Sequence, residues 1–345
     1  MTRGTPASHG AVDRFSTRGL PATRRIELWE RHNAHALVAL QARMLDESAL
    51  EAAEANLQLD RLHLAHVVAN PHAVERTART VRARPTESVA LYLTLAGEAI
   101  FADDNGTRRL RPGQLLVCDA DRPFLRGFAH GLEELAVKVP YDVLRSAGVT
   151  MPRAARVVDF RTRAGSGGSA PARGADPYAA ALAALVARAV VSQEGGSANE
   201  DALLELVAAV LTEPDTADTP PATRTPTTGA HFAAAEQYVR QWLRDPTLSA
   251  RRIADAIGLS ERQLSRVCAE CGTSVPRLVA RRRVEMAARM LRMPSYAEQT
   301  VEAIGLRCGF SSAAQFSRVF REQSGMSPSE ARRYPGPSNS LPIDS

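Results

Sequence analysis

Residues 309–328 read GFSSAAQFSRVFREQSGMSP. Gly309 can reach positive φ without a Cβ penalty, and Ser311 or Ser312 supplies an N-cap side chain for whatever helix follows. Phe316 and Phe320 then fall one turn apart and give that helix an apolar stripe. Just upstream, Ile304-Gly305-x-x-Cys308 predicts a short helix running into the turn, with Gly305 small enough for two helices to cross closely. The stretch reads as a helix-turn-helix.

The same unit occurs twice. Ile253-Ala254-x-x-Ile257-Gly258-Leu259-Ser260 aligns with Ile304-Gly305-x-x-Cys308-Gly309-Phe310-Ser311, 51 residues later. The echo continues as Leu264-Ser265-Arg266-Val267 against Phe316-Ser317-Arg318-Val319, and Gly272-x-Ser274 against Gly325-x-Ser327. Ser260 and Gln263 have capping-box spacing at the head of the first copy's second helix. Between the copies, residues 276–293 predict one helix of about 27 Å. Val279, Val284, Ala287, Ala288 and Leu291 form its buried face, Arg281, Arg282, Arg283, Arg289 and Arg292 decorate it, and Pro294 ends it.

Together, Gly309-Phe310-x-x-x-x-x-Phe316-Ser317-Arg318-x-Phe320-Arg321, Gly325-x-Ser327-Pro328 and Arg283-Val284-x-x-Ala287 resemble the DNA-binding domain of the AraC/XylS-type transcriptional regulators. Here Cys268 stands where the family has Phe, Gly305 where it has Ala, and Ala331 where it has an aromatic. A recognition helix puts its N-terminal residues on base edges in the major groove, and two held about 34 Å apart read successive turns of one duplex face. By resemblance, Arg262, Ser265 and Arg266 form the DNA-contacting face of the first copy. Ala313, Ala314, Gln315, Ser317 and Arg318 form that of the second, with Gln315 and Arg318 dominant. Arg262 is the candidate for bidentate guanine readout; Arg266 and Arg318 are divided between base and phosphate contact. Ala254, Gly258, Gly305, Gly309, Phe310, Phe316 and Phe320 are turn and core positions. Arg283 is expected to form an ion pair holding the connecting helix against the first copy.

The first half of the chain reads differently. Residues 1–24 lack periodicity and are expected to be a disordered arm. Residues 25–56 predict helix, with Leu37, Leu40, Met44 and Leu45 at helical spacing. Alternation at Val89, Leu91, Leu93 and Leu95, the hairpin signal Asp104-Asn105-Gly106, the run 114–118 after Pro112-Gly113, and the run 132–139 predict short strands of a small sandwich or barrel. Two apolar-faced helices follow, 177–192 and 199–212, with stripes Leu182, Leu185, Val186, Ala189 and Leu203, Leu206, Val207, Val210. They either pack on their own domain or form a dimer interface. Glu75-Arg76-Thr77, Gly97, Leu110-x-Pro112-Gly113 and Val139-Pro140 resemble the AraC-binding-like, cupin-related sensor domain of the same regulators.

Charge separates the halves. The chain of 345 residues carries a net +5, and Lys138 is its only lysine, so nearly all of its cations are arginines. Residues 231–334 hold 17 Arg against 10 Asp and Glu, a balance of +7 that leaves −2 elsewhere. A basic face attracts a polyanion, whereas scattered charge only solvates. No apolar run reaches the ~18 residues a membrane helix needs, and four cysteines are too few for a disulfide framework. Cys268-x-x-Cys271 lacks a second ligand pair, and His32-x-x-His35 and His63-x-x-His66 bring no evident carboxylate, so neither metal nor cofactor is expected. The strand bearing Gly97 and the stretch after Gly113 lack a His-x-His plus carboxylate set, and no Ser/His/Asp order or phosphate loop is evident.

The expected fold is α+β, a cupin-like N-terminal β-barrel or sandwich with helices joined to an all-α domain of two helix-turn-helix units and a long helix. The expected divisions are an arm 1–24, a sensor and dimerisation domain 25–212, a Pro/Thr-rich linker 213–230, a DNA-binding domain 231–334 and a tail 335–345. The expected function is a sequence-specific, effector-responsive transcriptional regulator, an activator rather than a repressor and not an enzyme. The alternative is a cupin-type metal enzyme fused to a DNA-binding domain. Expected partners are double-stranded promoter DNA, RNA polymerase, a small-molecule effector and a second copy in a homodimer, in the cytoplasm and on the nucleoid.

Overall fold

In the computed structural model, residues 11–152, 154–161, 175–191, 199–212 and 227–333 are described. The chain divides into two compact units, residues 1–230 and 231–345.

The first unit is a sandwich of two antiparallel sheets. Its strands are β1 (Val12–Ser16), β2 (Gln41–Met44), β3 (Ala52–Gln58), β4 (His63–Ala69), β5 (His72–Arg76), β6 (Ser88–Ala96), β7 (Ala99–Asp103), β8 (Gly106–Leu110), β9 (Gln114–Asp119), β10 (Phe124–Phe128), β11 (Leu132–Pro140) and β12 (Arg156–Asp159). One sheet runs β1-β3-β4-β11-β6-β9-β12 and the other β2-β5-β10-β7-β8; neither closes into a barrel. The hairpin read at Asp104-Asn105-Gly106 joins β7 to β8, pairing Asp103 with Gly106, whose φ is +113°. Its helices are α1 (Arg25–Ala36), α2 (Ala78–Ala83), α3 (Tyr141–Ser146), α4 (Pro177–Val191) and α5 (Glu200–Leu211).

Two expectations for this half are corrected. Residues 12–16 of the expected arm form β1, which pairs with β3 from Val12 opposite Leu57 to Ser16 opposite Ala53. Only α1 of the expected helix 25–56 is helical. Beyond Leu37 the chain turns into β2 and β3, although Ala52-Ala53-Glu54-Ala55 favours helix by intrinsic propensity. Strand partners on both sides of β3 supply what propensity does not. Of the expected helical apolar positions, Leu37 is buried and Leu45 is exposed.

Packing follows the strand alternation. Register places Glu54, Val67, Glu134 and Thr94 in one row across β3, β4, β11 and β6. That face is shared by Ala65, Tyr92 and Ala136, which pack in the core with Phe101, Phe124 and Phe128 of the opposite sheet. From β10, Arg126 spans the two sheets, its Nη1 donating to Glu134 Oε1 at 2.9 Å and its Nη2 to Oε2 at 2.6 Å. Its guanidinium also lies 4.0 Å from the Tyr92 ring centroid. Helix α4 packs on α5 and on β3, β4 and β11, so both stripes are satisfied within the unit, with Leu182, Val186, Leu206 and Val207 fully buried. Glu200 at the head of α5 accepts from the backbone N–H groups of Arg61 and Leu62 and ties the helix to the β3–β4 turn.

The second unit is helical throughout: α6 (Thr228–Gln241, the first three residues of which precede the division), α7 (Ala250–Ala256), α8 (Glu261–Glu270), α9 (Val275–Arg292), α10 (Val301–Arg307), α11 (Ala313–Ser324) and α12 (Pro328–Arg333). Residues 228–230, read as the end of the linker, begin α6; residues 213–226 of that linker lie outside the described residues. Helix α9 has Ser274 as N-cap and Pro276 in its first turn, where a missing N–H costs nothing. Its Val284, Ala287, Ala288 and Leu291 are buried, and Val279 is half-buried.

Candidate nucleic-acid interface

Each helix pair is built from a close crossing, a left-handed turn and a cap. In the first copy, Ala254 is fully buried and Gly258 turns at φ +70°. Ser260 Oγ accepts from Gln263 N while Gln263 Oε1 accepts from Ser260 N, completing the capping box. In the second copy, Gly305 is buried, Gly309 turns at φ +90°, and Ser312 caps α11 by accepting from Gln315 N. Phe310, Phe316 and Phe320 pack, tilted and edge-to-face, into one buried cluster with Ala331, Ile304 and Cys308. Small Ala331 therefore takes a core place beside the three rings.

These anchors decide which faces are left over. On α8, Leu264, Val267 and Cys268 are buried, whereas Arg262, Ser265 and Arg266 are exposed. On α11, Phe316 and Phe320 are buried, Ala314, Gln315, Ser317 and Arg318 are exposed, and Ala313 is half-buried. Arg266 Nε lies 3.7 Å from Glu270 with both side chains in water, a weak pair that an anion displaces easily. Among the described residues, Arg262 and Arg318 form no salt bridge.

The arginines of α9 divide in two. Arg281 and Arg282 are half-buried among Glu236 and Glu285, and so are neutralised within the unit. Arg289 and Arg292 remain exposed. Arg283 departs from its expected ion pair: its Nε donates to Leu243 O at 3.1 Å and its Nη2 to Asp245 O at 2.8 Å. Its guanidinium lies 5.9 Å from the Phe310 ring centroid. It thus joins α9 and the second copy to the chain following α6. The Asp245 carboxylate is held down at about 2 by hydrogen bonds from Arg252 and Thr247. Burial pushes the Cys308 thiol up to about 11 and keeps it neutral.

The constellations set aside in the sequence acquire partners. Cys268 is buried and Cys271 exposed. His66 Nε2 lies 3.2 Å from Glu133 Oε1 and His32 Nε2 lies 3.6 Å from Glu54 Oε2, so both histidine pairs do meet a carboxylate, contrary to expectation. His63 is buried between Gln58 and Asn56. Among the described residues, no three His, Cys, Asp or Glu side chains converge as metal ligands would, and no helix is long and apolar enough to cross a membrane.

Two capped, exposed recognition helices on either side of one long helix define a DNA-binding protein of the double helix-turn-helix class, preceded by a β-sandwich unit. Residues 29–212, more than half the chain, match the AraC-binding-like domain family, and residues 253–334 match a helix-turn-helix domain family. The chain belongs to the AraC-type transcriptional regulators. It is 24% identical over 278 residues to the transcriptional activator NphR of a Rhodococcus species, covering 79% of this chain and 78% of that one. Among solved structures it is similar to the AraC-like transcriptional activator CuxR, at TM-score 0.44 and 20% identity over 80% of this chain and 95% of that one. It is also similar to the DNA-binding domain of the global transcriptional factor AdpA in complex with target DNA, at TM-score 0.27 and 24% identity over 29% of this chain and 88% of that one.

Proposed function

We propose that the chain reads a bipartite promoter site through α8 and α11. Arg262, Ser265 and Arg266 enter one major groove, and Ala313, Ala314, Gln315, Ser317 and Arg318 the next. The observation that carries this reading is that these residues, half-buried Ala313 apart, are exposed on the recognition helices, while Leu264, Val267, Cys268, Phe316 and Phe320 are spent on the core. The alanines permit close approach or contact with a thymine methyl. The +7 balance of residues 231–334 supplies the attraction for phosphate.

In this reading the β-sandwich unit is a sensor and dimerisation domain, residues 213–227 connect it to the reader, and residues 335–345 are a tail. A small-molecule effector binds the sandwich and shifts which arrangement of two readers is populated. The protein acts in the cytoplasm as a homodimer that recruits RNA polymerase, an activator like the relative named NphR, with no cofactor and no catalysis of its own.

The test is binding of the full chain to its promoter duplex and to a scrambled one. Arg262→Ala costs about 1–3 kcal/mol on the promoter site and relaxes one base pair. Equal losses on both duplexes would remove Arg262 from base readout. Affinity falls steeply with salt, and a flat salt profile would remove the phosphate contacts altogether.

A further inference from the structure

Gln263 and Gln315 hold the same place, the third residue of α8 and of α11. Both are exposed, and both have already committed their carboxamide oxygen. Gln263 Oε1 accepts from Ser260 N at 2.9 Å and Ser260 Oγ at 2.8 Å. Gln315 Oε1 accepts from Ser311 N at 3.1 Å and Ser311 Oγ at 2.8 Å. A backbone N–H can only donate, so the oxygen must face it and the NH2 must face away. Ser260 and Ser311 come from different points of the two turns, yet the outcome for the glutamine is the same. Each recognition helix opens with an amide whose acceptor is spent and whose two donors are free.

We propose that Gln263 and Gln315 are donor-only base readers, one in each half of the site, each selecting guanine, the base whose major-groove edge presents two adjacent acceptors and no donor. The proposal rests on the placement of α8 and α11 in the groove and adds Gln263 to the residues that read. A glutamine reads adenine by accepting from N6 while donating to N7, which needs both ends of the amide. Here the accepting end is occupied, and adenine N6 would meet donor with donor. Cytosine N4 is excluded for the same reason. Adenine N7 and thymine O4 each offer a single acceptor, whereas guanine O6 and N7 offer one to each amide hydrogen.

The experiment is selection from randomised duplexes by the full-length wild-type chain and by Gln263→Ala, Gln315→Ala, Gln263→Glu, Gln315→Glu and Arg262→Ala, with thermal unfolding of each. At one base pair per reader the wild type is expected to prefer G·C over A·T, and the alanine variant to flatten that preference by about fivefold, the worth of one hydrogen bond. Glutamate keeps both capping bonds and hence the unfolding temperature, but presents an acceptor, and is expected to turn the preference from guanine toward a base with an amino donor, cytosine or adenine. An A·T pair at the responding position overturns the proposal. So does a loss shared equally by all sequences, which would make these residues phosphate contacts or caps alone. If Arg262→Ala alters selection and the glutamine variants do not, the groove placement stands and the glutamine assignment falls; if none does, both fall.

Discussion

Gly305 on α10 lies so close to Phe316 on α11 that a Cβ built on it would stand 2.5 Å from Cδ1 and 2.6 Å from Cγ of that ring. Those atoms belong to the root of the side chain, so they cannot swing clear without moving the helix. The first copy solves the same crossing with Ala254 and Leu264, both fully buried. Gly305→Ala gains about 1 kcal/mol of helix propensity and loses more to overpacking, for a net destabilisation of about 1–2 kcal/mol. Adding Phe316→Leu makes room for the methyl and recovers part of the loss. Chemical denaturation of the single and double variants checks both halves, and additive losses would sink the pairing.

Gly258 and Gly309 turn their chains alike, at φ +70° and +90°, in different surroundings. Nothing lies within 4 Å of a Cβ at Gly258, whereas one at Gly309 would stand 2.4 Å from Leu243 O and 2.9 Å from Arg283 Nε. Asparagine tolerates the left-handed conformation. Gly258→Asn is therefore expected to cost under about 1 kcal/mol, and Gly309→Asn about 3 kcal/mol or more as Arg283 is pushed off its carbonyls. Similar unfolding midpoints for the two would contradict the close approach.

Arg126 and Glu134 are each more than nine-tenths buried and bonded to one another across the sandwich. Arg126→Met strands the carboxylate and is expected to cost about 3–5 kcal/mol, while Arg126→Met with Glu134→Leu returns near wild-type stability. A double-mutant cycle reads the difference directly.

Stability of the full chain should depend on pH through two buried groups with opposite signs. Burial pushes the Glu54 carboxyl up to about 7, with Glu134 and Asp13 adding to the shift, so the folded state holds a proton that the unfolded chain releases near 4.5. That contribution is present below 4.5 and is lost as pH rises to about 7. Burial drives His63 down to about 3, with Lys138 and His32 contributing, so its share is lost as pH falls from 6.5 toward 3. Glu54→Gln is expected to stabilise the protein at pH 8 by something on the order of 2 kcal/mol and to change little at pH 4.5. A constant difference across that range would refute the assignment.

What could be read in advance was local. Caps, turn glycines and the apolar spacing of Phe316 and Phe320 act within a few residues, so the two helix-turn-helix units were legible, with Arg262, Ser265, Arg266, Ala314, Gln315, Ser317 and Arg318 exposed and Ala313 half-buried. The β2 and β3 strands were not, because alanine and glutamate there take their conformation from neighbours distant in sequence. Nor was the carboxylate beside His66, since Glu133 arrives on another strand 67 residues later. The apolar residues around Arg283 mark it as structural, but its partners are backbone carbonyls, which leave no mark in a sequence. The locked oxygens of Gln263 and Gln315 had a partial signal in the serine three or four residues ahead.

The strand formed by residues 12–16 caps one end of the seven-stranded sheet and covers the hydrogen-bonding edge of Ala52–Gln58. Truncation at residue 25, which removes a segment that looks dispensable, would uncover an alanine-rich ladder with half its amides unpaired. Such an edge recruits another strand from wherever one is available. Loss of a five-residue strand should therefore surface as self-association at high protein concentration before it surfaces as unfolding.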